Sequence, residues 1–396
     1  MAVHFTLPGR TVIGKNALEA SGSVIKGLGK KAFVVTGKIV AGTGAVKILT
    51  GFLEKRGIAC EVFDGIAGEP TDQMIEAGVT AYGKSGCDFI IAMGGGSPLD
   101  SAKAIAAMTV LEGRLADYMG VEIEGEFPPL VLIPTTAGTG SEATKFTVIT
   151  DMEKGVKMLL KGDALLPDLA VVDPEFTITA PRSVTAATGM DALTHAVESY
   201  TSRKRNPLTD LYALDAIRRI FTYLPKAYAS ADDSGANAGP GGSAEGRKAR
   251  EEMSIAAYEA GICINNASVT LVHGMSRPIG ALFHIPHGIS NAMILKECLE
   301  YVMDGCYERF AAIAAAIGAA GAGTDEKEAS EAFLKELERL CGLLNIPTLA
   351  QYGIKKEEFD ANVDKMVRDA MASGSPANTI KEVTKDDLLV IYRRLW

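Results

Sequence analysis

The chain has 396 residues, 47% of them hydrophobic and 22% charged, with 40 Lys+Arg against 49 Asp+Glu for a net charge of −9. This length allows two or three domains with a sizeable core, and the composition excludes a disulfide scaffold, a collagen-like chain and a disordered chain. The acidic balance, with no dense basic stretch, excludes nucleic acid as an expected partner.

In chain order, residues 32–36 (AFVVT), 59–63 (ACEVF) and 88–93 (DFIIAM) read as strands. Residues 45–56 and 71–85 lie between them and carry apolar side chains every three or four positions, the pattern of crossover helices in βαβ units, so a parallel sheet is expected. A Gly-rich turn, GGGSPLD, then leads into a helical run at 101–108, and residues 130–133 (LVLI) form a further buried strand. Shorter strands are expected at 146–150, 156–160 and 169–172. After Pro181 strand-like runs almost vanish and Ala-rich amphipathic segments continue to Trp396, so the chain divides into an α/β domain at 1–180 and an all-α domain at 181–396. Residues 231–246, rich in Gly, Ala, Ser and Asp, read as a mobile surface loop between helices.

The six cysteines, Cys60, Cys87, Cys263, Cys298, Cys306 and Cys341, include no C-x-x-C pair. Neither a zinc ribbon nor a disulfide framework is expected, and a cytoplasmic setting is the simplest. Residues 1–10 lack the apolar core of a signal peptide, and the small-residue run at 311–323 is too short for a bilayer, so no membrane association is expected.

The strongest local signal for chemistry is the turn Gly94-Gly95-Gly96-Ser97-Pro98-Leu99-Asp100. Its glycines permit close approach of a ligand to the backbone; Ser97 is a good N-cap, Pro98 fits a first helical position and Asp100 closes a capping box. Amides at such a helix start favour a phosphate, so the turn is a candidate dinucleotide cradle. A second turn after a buried strand, PTTAGTGSE, offers the hydroxyls of Thr135, Thr136 and Thr139 to the same ligand.

Only five histidines are present: His4 is terminal, and His195, His273, His284 and His287 fall in the helical half. Asp191 and His195 are four apart in GMDALTHAVESY and share one helix face, which makes a two-toothed metal grip. His273 and His287 supply two further ligands from neighbouring elements. One carboxylate with three imidazoles suits Fe(II) or Zn(II) with an open position for substrate.

The motifs GGGSPLDSAKAIA, PTTAGTGSEAT, GMDALTHAVESY and HGMSRPIGALFHIPHG, in that order and over nearly the whole chain, resemble the iron-containing (group III) alcohol dehydrogenase family. The resemblance implies a dehydroquinate synthase-like fold, with an N-terminal dinucleotide-binding α/β domain, a C-terminal helical domain and an active site in the cleft between them. It implies Asp191, His195, His273 and His287 as ligands of Fe(2+), with Zn(2+) as the alternative, and NAD(H) or NADP(H) as hydride carrier. By the same resemblance Gly95, Gly96 and Ser97 match the pyrophosphate loop, Thr135 and Thr136 a second cofactor loop, and Lys157 a cofactor-contacting lysine. A homodimer acting on a small alcohol or aldehyde is the family expectation.

Two positions depart from the family pattern. Many relatives have a histidine four residues after the third ligand, where this chain has Arg277; His284 is a candidate substitute. Many also have Asp at the end of the first strand, where this chain has Gly37 followed by Lys38. Loss of that carboxylate removes a ribose contact and its repulsion of a 2′-phosphate, and Lys38 adds a cation, so NADP(H) use is expected. Phe146, Phe283 and Cys263 are candidate pocket residues, with core packing favoured for each. The rival functions are a hydroxyacid-oxoacid transhydrogenase, a dehydroquinate-synthase-like lyase, and a nucleotide- or metal-sensing binding protein.

Overall fold

The computed structural model describes residues 2–231 and 243–396, and the chain divides into two compact units. One comprises Phe5–Ala180, the other Pro181–Trp396 together with Met1–His4.

The first unit runs β1 (Thr11–Ile13), α1 (Ala17–Ala20), α2 (Gly22–Leu28), β2 (Lys31–Val35), α3 (Lys38–Gly42), α4 (Ala45–Glu54), β3 (Ala59–Phe63), α5 (Asp72–Ser85), β4 (Phe89–Gly94), α6 (Gly96–Met108) and β5 (Leu130–Pro134). It ends with β6 (Phe146–Asp151), β7 (Val156–Lys161) and β8 (Leu169–Val172). Six strands form one parallel sheet in the order β1-β8-β5-β4-β2-β3. Helices cover both faces, which is why β4 and β5 are apolar at every position rather than alternating. Phe33, Ile90 and Leu132 point into one core layer, and Val34, Ile91 and Val131 into the other.

From β2 the chain steps outward to β3 and then back across to β4, so the direction of winding reverses between β2 and β4. In open α/β sheets ligands bind at the carboxyl ends of the strands flanking such a reversal. The ends of β2 and β4 are tied there by the Thr36 hydroxyl, which donates to the Met93 carbonyl at 2.8 Å.

Several expectations are corrected. The strand read as the first is β2, because Thr11–Ile13 precedes it and pairs with β8 at the sheet edge. The strands β6 and β7 leave the main sheet and form their own antiparallel ladder, whereas β8 inserts between β1 and β5. Helix α6 begins at Gly96, five residues before the predicted start.

The second unit is helical: α7 (Arg182–Tyr200), α8 (Pro207–Ala229), α9 (Ala244–Asn266), α10 (Leu271–Phe283), α11 (His287–Val302), α12 (Tyr307–Ala316), α13 (Glu326–Leu343), α14 (Lys356–Ala372) and α15 (Lys385–Arg394). Local sequence sets their starts. Asn206 caps α8 by accepting from the amides of Leu208 and Thr209, with Pro207 in the first turn, and Thr384 caps α15 by accepting from Asp387 N. From Gly189 to Tyr200 every residue of α7 is buried, which marks it as the unit's core helix. Of the expected loop at 231–246, residues 232–242 lie outside the described residues, while 244–246 belong to α9, whose N-cap is Ser243. Among the described residues no single helix is long and apolar enough to cross a membrane, and all six cysteines are free.

Candidate metal and nucleotide sites

Three elements of the helical unit bring the predicted ligands together. Asp191 lies mid-way along α7, His273 near the start of α10, and His287 at the first position of α11. One ligand atom from each lies within 4.8 Å of the other two. Each of these two histidines is followed by glycine, and the packing explains both. A Cβ on Gly288 would collide with the Ala187 carbonyl and approach Asp191 Cβ to 3.3 Å; without it, α11 closes on α7 and His287 reaches Asp191. A Cβ on Gly274 would meet Pro376 Cδ at 2.7 Å, so the Ser375–Pro376 turn rests directly on α10 beside His273.

His195 joins the cluster less directly. Its Nε2 lies 3.8 Å from Asp191 Oδ1 and its ring stacks on that of His273 with centroids 4.8 Å apart, but it falls outside the group of three. Its Nδ1 is buried and has no hydrogen-bond partner among the described residues.

Two residues that the sequence reading did not single out complete the arrangement. Glu198, one turn beyond His195 on α7, accepts from His273 Nδ1 at 2.5 Å, from Thr270 Oγ1 at 2.7 Å and from Val272 N at 2.6 Å. That bond fixes the His273 tautomer so that Nε2 faces Asp191 with its lone pair, the arrangement by which a carboxylate orients a metal-binding imidazole. Asn291, one turn after His287, points its Nδ2 at Asp191 Oδ1 (2.8 Å), His273 Nε2 (3.2 Å) and His287 Nε2 (3.3 Å). The Ser276 hydroxyl donates to Asn291 Oδ1 and so holds the amide in that sense. The spacings Asp191-His195-Glu198 and His287-Asn291 were the available signal, since each places its members on one helix face.

The electrostatics suit a cation. Burial lowers the His273 pKa far below the ordinary value, helped by the neighbouring His195 and His287, so this imidazole is neutral and able to coordinate. Burial works against the Asp191 carboxylate, but the imidazoles of His195, His287 and His273 and the Asn291 amide outweigh it and hold its pKa below the ordinary range. The donor set therefore fits a divalent ion: one carboxylate and two imidazoles converge on one volume. His287, with 39% of its side chain exposed, leaves that volume open on one side.

The remaining candidates divide. His284 is exposed at the C-cap of α10 in the left-handed region (φ 54°), outside the cluster. Cys263 is core, its thiol donating to the Thr209 carbonyl at 3.4 Å, and Phe283 stacks on Phe359. Arg277, one turn after His273, donates from Nη1 to Ser375 Oγ at 3.1 Å.

In the first unit, the Gly-rich and Thr-rich turns leave the neighbouring strands β4 and β5 side by side, joined by the Thr135 amide donating to the Gly94 carbonyl at 2.8 Å. The N-cap of α6 is Gly95, and no side chain caps it; Ser97 and Pro98 lie inside the first turn, which corrects the expected capping roles of Ser97 and Asp100. A Cβ on Gly96 would meet Thr139 Cγ2 at 2.8 Å, and one on Gly95 would lie 3.5 Å from Thr136 Oγ1, so the two turns form one surface at an uncapped helix start able to hold an anion.

Asp100 is engaged within the fold. Its carboxylate accepts from Ser141 Oγ at 2.5 Å and from Val148 N at 2.9 Å. Lys103, fully buried one turn on, donates to the carbonyls of Ser141 (2.7 Å), Thr144 (2.8 Å) and Phe146 (2.8 Å). Helix α6 thus pins the Thr-rich turn from beneath. Burial lowers the Lys103 pKa to about 8 and raises that of neighbouring Glu142 to about 7. Lys157, on β7, pairs with Glu69 at 2.7 Å. Gly37 is the N-cap of α3, and Lys38 follows it exposed.

Comparison with known proteins places both units in one family. Residues 8–174 match the family described as iron-containing alcohol dehydrogenase, and residues 185–396 match the C-terminal family of Fe-containing alcohol dehydrogenases. The chain is 34% identical to the NAD-dependent methanol dehydrogenase of Bacillus methanolicus, over 96% of this chain and 98% of that one. It is 35% identical to the 1,3-propanediol dehydrogenase of Klebsiella pneumoniae, over 98% of each. A crystal structure of 1,3-propanediol oxidoreductase superposes with a TM-score of 0.93 at 34% identity, covering 100% of both chains.

Proposed function

This chain belongs to the iron-containing alcohol dehydrogenase family, and we propose that it interconverts small alcohols and aldehydes with a nicotinamide cofactor, using a divalent iron held by Asp191, His195, His273 and His287. The observation that carries this reading is the convergence of the facing atoms of Asp191, His273 and His287 within 4.8 Å. When bound, the ion polarises the substrate oxygen and the nicotinamide carries the hydride.

The chain's own residues bind and orient. Glu198 holds His273 Nδ1–H and so keeps Nε2 turned to the ligand side, while Asp191 stays anionic among the imidazoles. The uncapped start of α6, with Gly95, Gly96 and Ser97, takes the pyrophosphate, and Thr135, Thr136 and Thr139 flank it. Asp100 and Lys103 act one layer below, fixing the second turn against the helix. Lys157 adds a cofactor contact from β7, and Gly37 with Lys38 favours NADP(H). The reading includes a cytoplasmic homodimer, as the family resemblance implies.

The test is turnover of a panel of short aldehydes and alcohols with NAD(H) and NADP(H), using protein loaded anaerobically with Fe(II) or with Zn(II). Reduction of short aldehydes with free nicotinamide, faster with iron, is expected; zinc competes because it binds such ligands strongly. Absence of hydride transfer despite bound metal and cofactor would overturn the reading. Exchange confined to a hydroxy acid and an oxo acid, with no turnover of free nicotinamide, would assign the site to a transhydrogenase instead.

A further inference from the structure

Arg277 lies one helical turn, about 6 Å of rise, after the ligand His273 on α10, so both point to one side of the helix. Its position is set from outside the helix. Pro376 rests on Gly274, and the adjacent Ser375 hydroxyl accepts from Arg277 Nη1 at 3.1 Å. This is the guanidinium's only hydrogen bond among the described residues, and it goes to a neutral group. No carboxylate among those residues lies within ion-pair distance of it. A guanidinium carries five donors in a rigid fork suited to a carboxylate or sulfonate.

The charge balance is one-sided. Asp191 and Glu198 are the carboxylates whose charge reaches this guanidinium, neither of them within ion-pair distance, and a divalent ion held by Asp191 would draw on the same charge. Leaving such a cation beside the ligands without a counter-ion costs free energy unless something anionic binds there.

We propose that Arg277 is a specificity-determining residue that binds a carboxylate or sulfonate at the far end of the substrate, so that the preferred substrates are short aldehydes bearing one acidic group. This rests on the dehydrogenase reading above and narrows it.

The test compares aldehydes of matched length, 4-oxobutanoate with butanal and 2-oxoethanesulfonate with propanal, in the wild type, Arg277→Gln and Arg277→Lys. The wild type should favour the acidic member of at least one pair, and the pair that it favours says whether the group is carboxylate or sulfonate. In Arg277→Gln the acidic-to-neutral ratio of kcat/KM should fall about ten- to a hundredfold, chiefly through KM, as for loss of a charge-assisted hydrogen-bonded pair. Arg277→Lys keeps the charge without the fork and should recover part of it.

A second arm needs no turnover. Calorimetry with unreactive ethanesulfonate and butanoate on metal-loaded protein lacking nicotinamide should show binding of at least one anion, weakened at least about tenfold in Arg277→Gln. A wild type that favours the neutral aldehydes, an unchanged ratio in Arg277→Gln, or a rise confined to the KM of the nicotinamide would overturn the proposal. If no aldehyde is turned over at all, the dehydrogenase reading fails, and anion binding alone decides the role of Arg277.

Discussion

Glu198 Oε2 accepts from His273 Nδ1 at 2.5 Å while the opposite nitrogen of the same ring lies 3.8 Å from Asp191 Oδ1. A single buried carboxylate thereby decides which face of the imidazole carries the lone pair, and it stands outside the ligand set. Glu198→Gln keeps the volume but removes the anionic acceptor, so the affinity for Fe(II) or Zn(II) should fall about ten- to a hundredfold. Competition with a chelator reads this directly; an unchanged affinity would show that Glu198 only fills space.

Gly288 is the hinge between sequence and site, because its missing Cβ lets α11 approach the Ala187 carbonyl and bring His287 to Asp191. Gly288→Ala should push the two helices apart, destabilising the helical unit by about 1–3 kcal/mol and weakening the metal without altering nicotinamide affinity. Thermal unfolding with and without metal measures both effects. A variant with wild-type stability and metal affinity would contradict the packing argument.

How much of this was legible beforehand depends on whether the determinant is local. Residues 130–133 lie in β5 as expected because a buried apolar run with β-branched Val131 and Ile133, bracketed by Pro128-Pro129 and Pro134, determines its own conformation. Thr11–Ile13 was missed because three residues, two of them exposed, become a strand only by pairing with Ala170, Val171 and Val172 far along the chain. Ser97 reads as a cap because its residue type is right, but the turn places Gly95 at that position and starts the helix at Gly96. The ligands Asp191, His273 and His287 stood out through the scarcity of histidine. Glu198 and Asn291 did not, since spacing shows that they share a face with a ligand but not which ring that face meets.

Glu142, buried beside Lys103, gives a pH signature in the nucleotide unit. Its folded pKa of about 7 lies above the ordinary 4.5, so the folded state keeps a proton that the unfolded chain releases between those values. The stability contributed by this group is complete below about pH 4.5 and is lost as the pH rises through about 7. Glu142→Gln cannot ionise, so the stability of the wild type relative to the variant should decline by on the order of 2–3 kcal/mol between pH 5 and pH 8. Denaturant unfolding across that range measures it; a gap independent of pH would mean that Lys103 neutralises the carboxylate fully.

Cofactor choice is best probed at Lys38. An acid at Gly37 would be ambiguous, since any Cβ there would come within 2.6 Å of the Ile66 carbonyl and displace backbone. Lys38 is exposed and tolerates change. Lys38→Glu should lower the NADP(H) to NAD(H) ratio of kcat/KM by about tenfold, equivalent to about 1.4 kcal/mol. An unchanged ratio would place the discrimination elsewhere.

In the proposed site, Asp191, His195, His273 and His287 hold one metal ion on which activity depends. Metal analysis of anaerobically purified wild type and His273→Ala, with nicotinamide binding as the control for folding, tests it most directly. One divalent ion per chain is expected in the wild type, and in His273→Ala near-complete loss of metal and of turnover with cofactor affinity retained. Equal metal content in the two proteins, with nicotinamide binding intact in both, would contradict it.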